Sequence, residues 1–265
     1  MKTTKVKKLN ELLQQLKRVV VAYSGGLDST FLLKMAVDTL DKDNVLAVTA
    51  RSETYPLAEY KEAKKYARLM GVEHLTIHTS ELAIKNFASN PVNRCYYCKK
   101  ELFKKLDSIK RRHRMSHVVD GTNLDDLKDI RHGRLAAGEL GVRSPLLEAG
   151  LTKSDIRKFS RDLGLPTWDK PSFACLASRF PFRSRIDRAG LLRVDRAEAF
   201  LHGLGFKQVR VRIHNDTARV EVMKGDFARA VKSSDLIVRE LKKLKFVYVT
   251  LDLAGYRTGS MHEAV

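Results

Sequence analysis

The sequence predicts an α/β fold: a parallel sheet with helices on both faces, followed by a small α-β-β-α-β unit. Three observations lead there. Apolar, strand-like runs at 19–23, 45–50, 73–78 and 117–120 alternate with helical patterns at 29–40, 57–70 and 97–112, as a sheet of parallel strands wrapped by helices demands. The first of these strands runs through paired glycines straight into a helix. Between Ser172 and Arg185 the regular patterns stop, with Pro171, Pro181 and several arginines marking an irregular connector. The expected division is therefore residues 1–185 and residues 186–265.

Val19-Val20-Val21-Ala22 leads into Tyr23-Ser24-Gly25-Gly26-Leu27-Asp28-Ser29-Thr30 and then the helix-like Phe31-Leu32-Leu33-Lys34-Met35-Ala36. A strand that turns through glycines into a helix start offers bare backbone N–H groups and the positive end of the helix dipole, which together hold phosphate. A side chain at Gly25 or Gly26 would keep an anion from those amides, and the turn calls for positive φ. Ser24, Ser29 and Thr30 add hydroxyl donors. The loop lacks a Gly-Lys-Ser/Thr ending and the GxGxxG fingerprint, reading SGGxDS instead. Ligands of such sheets bind beyond the carboxyl ends of the strands, where Ser24 to Ser29, Thr49 to Ser52 and Asp120 to Asn123 all fall. Thr49 and Arg51 are thereby expected to border adenine and phosphates. Gly121 is expected on the nucleotide side, with Asp125 and Asp126 after it, although helix-capping carboxylates read alike in sequence.

Beyond the connector, 187–204 is helical, 207–213 and 217–223 are strands about the turn Asn215-Asp216, 226–244 is helical and 246–251 is a strand. Arg210 and Arg212 stand two apart on a strand and so share a face. With Arg179 they form a candidate phosphate clamp, since the planar guanidinium fork binds phosphate bidentately. Glu198, Glu221 and Asp226 flank the strand pair and are candidate divalent-ion ligands or ordinary surface carboxylates. Trp168, the one tryptophan, is expected to pack the connector.

The chain has 265 residues, 43% of them hydrophobic, enough to bury a core in one or two domains without disulfides. No apolar stretch reaches the roughly 20 residues of a membrane helix, and Met1-Lys2-Thr3-Thr4-Lys5 has no apolar signal core. A cytoplasmic protein with no membrane partner is expected. The net charge of +19 invites a nucleic-acid reading, and +14 of it lies in residues 1–185. The densest run, Lys110-Arg111-Arg112-His113-Arg114, follows an amphipathic helix and contains no aromatic residue to stack on a base. It reads as a solvated helix end or an RNA-facing patch.

There are three cysteines, an odd count that speaks against a disulfide framework. Cys95 and Cys98 form a CxxC flanked by Arg94 and Lys99, and Cys175 follows 77 positions after Cys98. Three readings compete: unrelated buried thiols, a zinc site completed by histidine, or an iron–sulfur cluster on three thiolates with one iron open. No histidine stands at metal-ligand spacing from the cysteines; His132 is the candidate functional one, in Ile130-Arg131-His132-Gly133-Arg134.

The SGGxDS loop resembles the pyrophosphate loop (PP-loop) of the ATP pyrophosphatases, an adenine nucleotide α-hydrolase-like fold. Taken together, several segments resemble one family within that group, the ATP-dependent sulfur transferases called LarE, which act in assembly of the nickel-pincer nucleotide. They are Ser24-Gly25-Gly26-Leu27-Asp28-Ser29-Thr30, 90–99, 120–126, Ser144-Pro145-Leu146, 148–153 and Ala174-Cys175-Leu176-Ala177-Ser178-Arg179. The likeness runs from about Val19 to Gly259, through Arg210-Val211-Arg212 and 251–257. It implies ATP and Mg²⁺, with Asp28 positioning the metal on the leaving pyrophosphate. It also implies adenylation of a ring carboxylate of a pyridinium dicarboxylate mononucleotide and its conversion to a thiocarboxylate. In members with a single cysteine, the residue matching Cys175 gives up its own sulfur. This chain departs from that pattern in having Cys95 and Cys98 as well, and it is more similar to a three-cysteine branch in which the thiolates hold a 4Fe–4S cluster. On that resemblance Cys175 is primarily a cluster ligand, with the sacrificial role as the alternative. A sulfide donor and a homo-oligomer are implied as partners. A tRNA thiolase sharing the loop and the cluster is a further alternative, as is a non-catalytic nucleotide sensor or cluster carrier.

Overall fold

The computed structural model describes residues 3–127, 133–171, 174–257 and 260, which belong to two compact units. The first comprises Met1–Ser52, Ala58–Thr79 and Asn93–Phe173; the second comprises Glu53–Leu57, Ser80–Val92 and Ala174–Val265. The division expected at residue 185 is thus displaced. The connector from Ala174 onward belongs to the second unit, and two short segments from earlier in the chain join it. Hydrogen bonds explain why: the Leu176 amide donates to the Thr54 carbonyl, and the Ile186 amide to that of Ala88. The Asn90 side-chain amide reaches the Pro181 carbonyl at 2.6 Å.

In the first unit the chain runs α1 (Thr4–Leu16), β1 (Val19–Ala22), α2 (Leu27–Leu40), β2 (Val45–Arg51), α3 (Leu57–Leu69), β3 (Glu73–His78), α4 (Arg94–Arg112) and β4 (His117–Val119). Then follow α5 (Gly133–Glu139), α6 (Pro145–Glu148) and α7 (Lys153–Asp162). The strands form one parallel sheet in the order β3-β2-β1-β4. Its two faces are readable residue by residue. Val19, Val21, Val45 and Ala47 enter a core with α1, α2, α7 and the alanines Ala63 and Ala67 of α3. The alternating Val20, Leu46 and Val48 enter another with Phe103, Leu106 and Ile109 of α4 and Ala136 and Ala137 of α5. Period-two alternation with both faces apolar is why these strands read as continuous hydrophobic runs. Because the chain winds outward from β1 to β3 and returns through α4 to β4 on the other side, the strand order reverses between β1 and β4. The carboxyl ends of those two strands flank the crevice where such sheets bind ligands.

Helix α1 was not among the expected elements, although its signal is present. Thr3 caps it by accepting a hydrogen bond from the Val6 amide, and Val6, Leu9, Leu13 and Leu16 are buried, each worth roughly 1.5–3 kcal/mol of transfer free energy. Helices α5, α6 and α7 were likewise unassigned; α7 begins with a reciprocal capping box between Thr152 and Asp155. The basic run closes α4. Lys110 and Arg111 pair with Asp107 at 2.7 and 2.6 Å, and cations in a last helical turn suit the dipole.

The second unit contains α8 (Arg188–Gly203), β5 (Val209–His214), β6 (Thr217–Val222), α9 (Phe227–Lys232), α10 (Ser234–Lys243) and β7 (Tyr248–Leu251). Strands β5 and β6 form an antiparallel hairpin, and β7 adds parallel to β6. The single helix expected over 226–244 is two, because the backbone leaves helical geometry at Ser233 (φ −98°, ψ 11°). Among the described residues, no helix is long and apolar enough to cross a membrane.

Candidate functional site

The turn between β1 and α2 requires its glycines. Gly25 has φ +64°, and a Cβ there would lie 2.6 Å from the Ala63 Cβ, so both conformation and the close passage of α3 demand glycine. Gly26 is the N-cap of α2 and offers no side chain to the first helical amides. The loop hydroxyls brace one another. Ser29 Oγ accepts from the Ser24 amide at 3.3 Å and donates to the Gly26 carbonyl at 3.2 Å, and the two hydroxyls stand 3.1 Å apart. After β4 the chain presses against the same turn. A Cβ on Gly121 would meet the Ser29 nitrogen at 3.0 Å, which places Gly121 beside the loop.

Asp28 lies in the first turn of α2, oriented by the Asn123 amide at 3.3 Å and faced by Lys153 Nζ at 3.9 Å. Burial pushes its carboxyl above the usual range, with Lys153 opposing and Asp126 reinforcing the rise. Asp125 and Asp126 prove to be framework. Asp126 accepts from the Asn123 amide at 3.1 Å, and Asp125 from the Lys153 amide at 2.8 Å. Asp120 is held by Thr122 and by the Ser144 hydroxyl at 2.7 Å.

Thr49 differs from expectation. It is buried, donates to the Tyr23 carbonyl at 2.8 Å and meets His74 Nε2 at 2.8 Å, so its hydroxyl is engaged in tying strands rather than offered to adenine. Arg51 is exposed at the end of β2 with its guanidinium 5.3 Å from the Tyr60 ring centroid. Of three residues near the loop, Asn123 and Lys153 lie in segments that the sequence singles out without assigning them a role, and Lys170 lies in none. Lys170 Nζ donates to the Gly25 carbonyl at 3.3 Å. Nothing in local pattern marks a lysine whose partner lies 145 positions away.

In the second unit Cys175 caps a short turn, Leu176–Arg179. Arg179 is 1% exposed. Its Nε and Nη2 form a bidentate pair with Glu198 at 2.8 and 2.7 Å, and its Nη1 donates to the Ala174 carbonyl at 2.8 Å, the Cys175 carbonyl at 3.2 Å and Ser178 Oγ at 2.8 Å. The guanidinium is thus spent on fixing the cysteine segment to α8, which corrects its expected place in a phosphate clamp. Burial alone would raise the Glu198 carboxyl, but the Arg179 guanidinium holds it below the ordinary range. Arg212 donates to the Ser178 carbonyl at 2.9 Å, to Glu221 at 2.9 Å and to Ser260 at 3.0 Å. Arg210 is buried with its guanidinium 5.5 Å from the Tyr256 ring centroid. Burial, then the neighbouring Arg179, push its pKa down.

The three carboxylates considered for a divalent ion are not gathered. Glu198 is paired with Arg179, Glu221 with Arg212 and Arg219, and Asp226 with Arg229 at 3.3 Å. Among the described residues, no group of three His, Cys, Asp or Glu side chains is arranged as a metal site. Cys95 and Cys98 lie in the first unit, three apart in the first turns of α4 and hence on one helical face. Cys175 lies in the second unit, and none of the three is in a disulfide. His132 falls outside the described residues.

A parallel sheet whose first strand-to-helix turn runs through paired glycines, with an acid at the first helical turn and a second strand end pressed against it, defines a PP-loop α/β protein. The model of the NAD synthase family matches residues 3–124. Over 264 residues the chain is 41% identical to an uncharacterized protein of Synechocystis sp., covering 99% of this chain and 98% of that one. It is 38% identical over 262 residues to the pyridinium-3,5-bisthiocarboxylic acid mononucleotide synthase of Lactiplantibacillus plantarum, covering 99% and 95%. An uncharacterized protein of Methanocaldococcus jannaschii is 28% identical over 243 residues, covering 91% and 92%. The chain belongs to the family of that synthase, LarE.

Proposed function

We propose that the chain is an ATP-dependent sulfurtransferase that adenylates a carboxylate of a pyridinium dicarboxylate mononucleotide and converts it to a thiocarboxylate. The observation that carries the reading is that the likeness to the synthase runs over 99% of the chain, so that the anion loop, the Cys95/Cys98 pair and the Cys175 segment all fall inside it.

The loop amides bind the β and γ phosphates. A substrate carboxylate oxygen attacks the α-phosphorus, the bond from that phosphorus to its bridging oxygen breaks, and pyrophosphate leaves with the electron pair into the amides and helix dipole. Asp28, hard and oriented by Asn123, has the donor chemistry for Mg²⁺ and would hold it against the pyrophosphate. Sulfur then attacks the acyl carbon, and AMP leaves in place of a poor oxyanion. Cys95, Cys98 and Cys175 are thiols, which fits a 4Fe–4S cluster in donor type, and they would hold it. When bound, the cluster supplies the sulfur to be transferred. Arg179 and Arg212 fix the carbonyls of Cys175 and Ser178, positioning the segment that bears the third thiol. Arg210, whose guanidinium stands beside the Tyr256 ring, would face the substrate phosphate, while Arg212 braces the same strand through Glu221. An external sulfide donor, homo-oligomeric assembly and a cytoplasmic setting complete the reading.

The test is an anaerobic assay of the full chain with ATP, the dicarboxylate mononucleotide and sulfide. Expected are AMP formation dependent on the mononucleotide, more than one sulfur transferred per chain, and a brown colour lost in Cys98→Ala. A yield capped at one sulfur per chain would identify Cys175 as a sacrificial donor. Thiolated tRNA, with binding that weakens steeply as salt rises, would move the substrate to RNA. No AMP with any carboxylate would overturn the enzyme itself.

A further inference from the structure

The anion loop has a second anchor that no motif announces. Lys170 is 12% exposed at its side chain and is paired with Glu59 at 2.7 Å and Glu62 at 2.6 Å. It also donates to the Gly25 carbonyl at 3.3 Å. Glu59, Glu62 and Ala63 occupy positions i, i+3 and i+4 of α3 and so present one face. Ala63 of that face lies directly under Gly25, where a Cβ would come within 2.6 Å. The same surface of one helix therefore supports the Gly25 backbone from below and supplies the carboxylates that hold Lys170 on its carbonyl.

We propose that Lys170 is a positioning residue that locks the orientation of the Gly25–Gly26 peptide, and through it the Gly26 amide, for binding the ATP pyrophosphate. A trans peptide is planar, so its C=O and the following N–H point in opposite directions. Fixing the Gly25 carbonyl toward Lys170 fixes the Gly26 N–H away from it. Gly-Gly is the dipeptide least able to hold that orientation by itself, because both residues populate positive and negative φ with little cost. A flipped peptide would aim a carbonyl oxygen where the loop needs a donor. The two carboxylates keep the ammonium charged and in place; the lysine acts on the peptide, not on the nucleotide.

The proposal rests on the reading of 24–30 as the pyrophosphate loop, and its test separates the two. Binding of Mg·ATP and of inorganic pyrophosphate to the full chain is measured by calorimetry for the parent, Lys170→Met, Lys170→Arg and Glu62→Gln. Lys170→Met should weaken both ligands about tenfold, the scale of one well-placed hydrogen bond. The KM for the mononucleotide should stay unchanged, and Lys170→Arg should recover most of the loss. Glu62→Gln, which loosens the lysine without removing it, should fall between. Lys170→Met that lowers the melting temperature while its folded form binds ATP as the parent does would overturn the lock and leave the loop reading intact; should that variant fail to fold, parental ATP affinity in Glu62→Gln would do the same. A parent chain that binds neither ATP nor pyrophosphate would overturn both.

Discussion

Gly25→Ala offers the most direct examination of how the loop is built. Two independent penalties meet there. The backbone stands at φ +64°, a conformation that costs a residue with a Cβ roughly 1–2 kcal/mol. The added methyl would also sit 2.6 Å from the Ala63 Cβ and 2.9 Å from its Cα. Because the second contact is backbone, rotation of a side chain cannot relieve it, and α3 or the loop must shift at an overpacking cost of roughly 1–3 kcal/mol. The expected total is about 2–5 kcal/mol of lost stability, a large share of a domain's roughly 5–15 kcal/mol. Urea unfolding followed by far-ultraviolet circular dichroism reads it. The Ala63→Gly partner separates the penalties in part, since the double variant removes the contact with the Ala63 Cβ but keeps the one with its Cα at 2.9 Å and the φ strain; the coupling in the cycle should be about 1 kcal/mol, the lower end of the overpacking range. Gly26→Ala is the control, because its Cβ would meet nothing nearer than 3.5 Å and its φ is −77°. Parental stability in Gly25→Ala, or zero coupling with Ala63→Gly, would refute the argument.

Arg179→Met leaves Glu198 buried without its cation and should cost about 3–5 kcal/mol, whereas Arg179→Met with Glu198→Leu should recover much of that; thermal unfolding decides. Asp28→Asn should abolish AMP formation yet stabilise the protein at neutral pH. Burial raises the Asp28 pKa, so its contribution is full below the unfolded carboxyl value and is lost as pH rises through the folded one; stability that falls in Asp28→Asn would contradict this. Asp155 behaves oppositely. Burial alone would raise it, but hydrogen bonds from Lys5 and Thr152 hold it down to about 2. Its contribution is present above the ordinary carboxyl value of 3.8 and is lost as pH falls toward about 2, so Asp155→Asn should flatten acid unfolding across that window.

The central strands were legible because both of their faces are apolar, which made 19–23 and 45–50 stand out against amphipathic helices, while the edge strand 73–78 showed only as alternation, with Leu75 and Ile77 on the packed face. The glycine turn was legible because glycines between strand and helix have few other uses. What escaped was of two kinds. The capped, amphipathic α1 and α7 carry their signals openly in Thr3 with Val6, Leu9, Leu13 and Leu16, and in Thr152 with Asp155, but neither is set off by a strand-and-turn motif of its own. The displaced division between units, the burial of Thr49 and the partners of Arg179 and Lys170 depend on residues remote in sequence, and local periodicity holds no record of them. A strand arginine paired with phosphate and one paired with a buried glutamate read identically until the glutamate is placed.

Those remote partners share a logic. Around the anion loop, the group drawn to Lys170 is a carbonyl, that of Gly25. In the cysteine segment, Arg179 takes the carbonyls of Ala174 and Cys175, and Arg212 takes that of Ser178. Each is a backbone acceptor next to a segment that, on the proposed reaction, meets anions: pyrophosphate at the loop, a thiolate and an acyl–AMP at the cysteine. An unsatisfied carbonyl would repel such charge and would itself be costly to bury. Engaging it with a cation from behind removes the repulsion and fixes the peptide, so that the opposing N–H groups stay available. Each cation is in turn held by carboxylates, Glu59 and Glu62, Glu198, or Glu221. The basic residues nearest the chemistry therefore act first on the backbone. On this argument, replacing any of these carboxylates by its amide should impair the site through the segment it supports, even though the carboxylate itself touches no substrate.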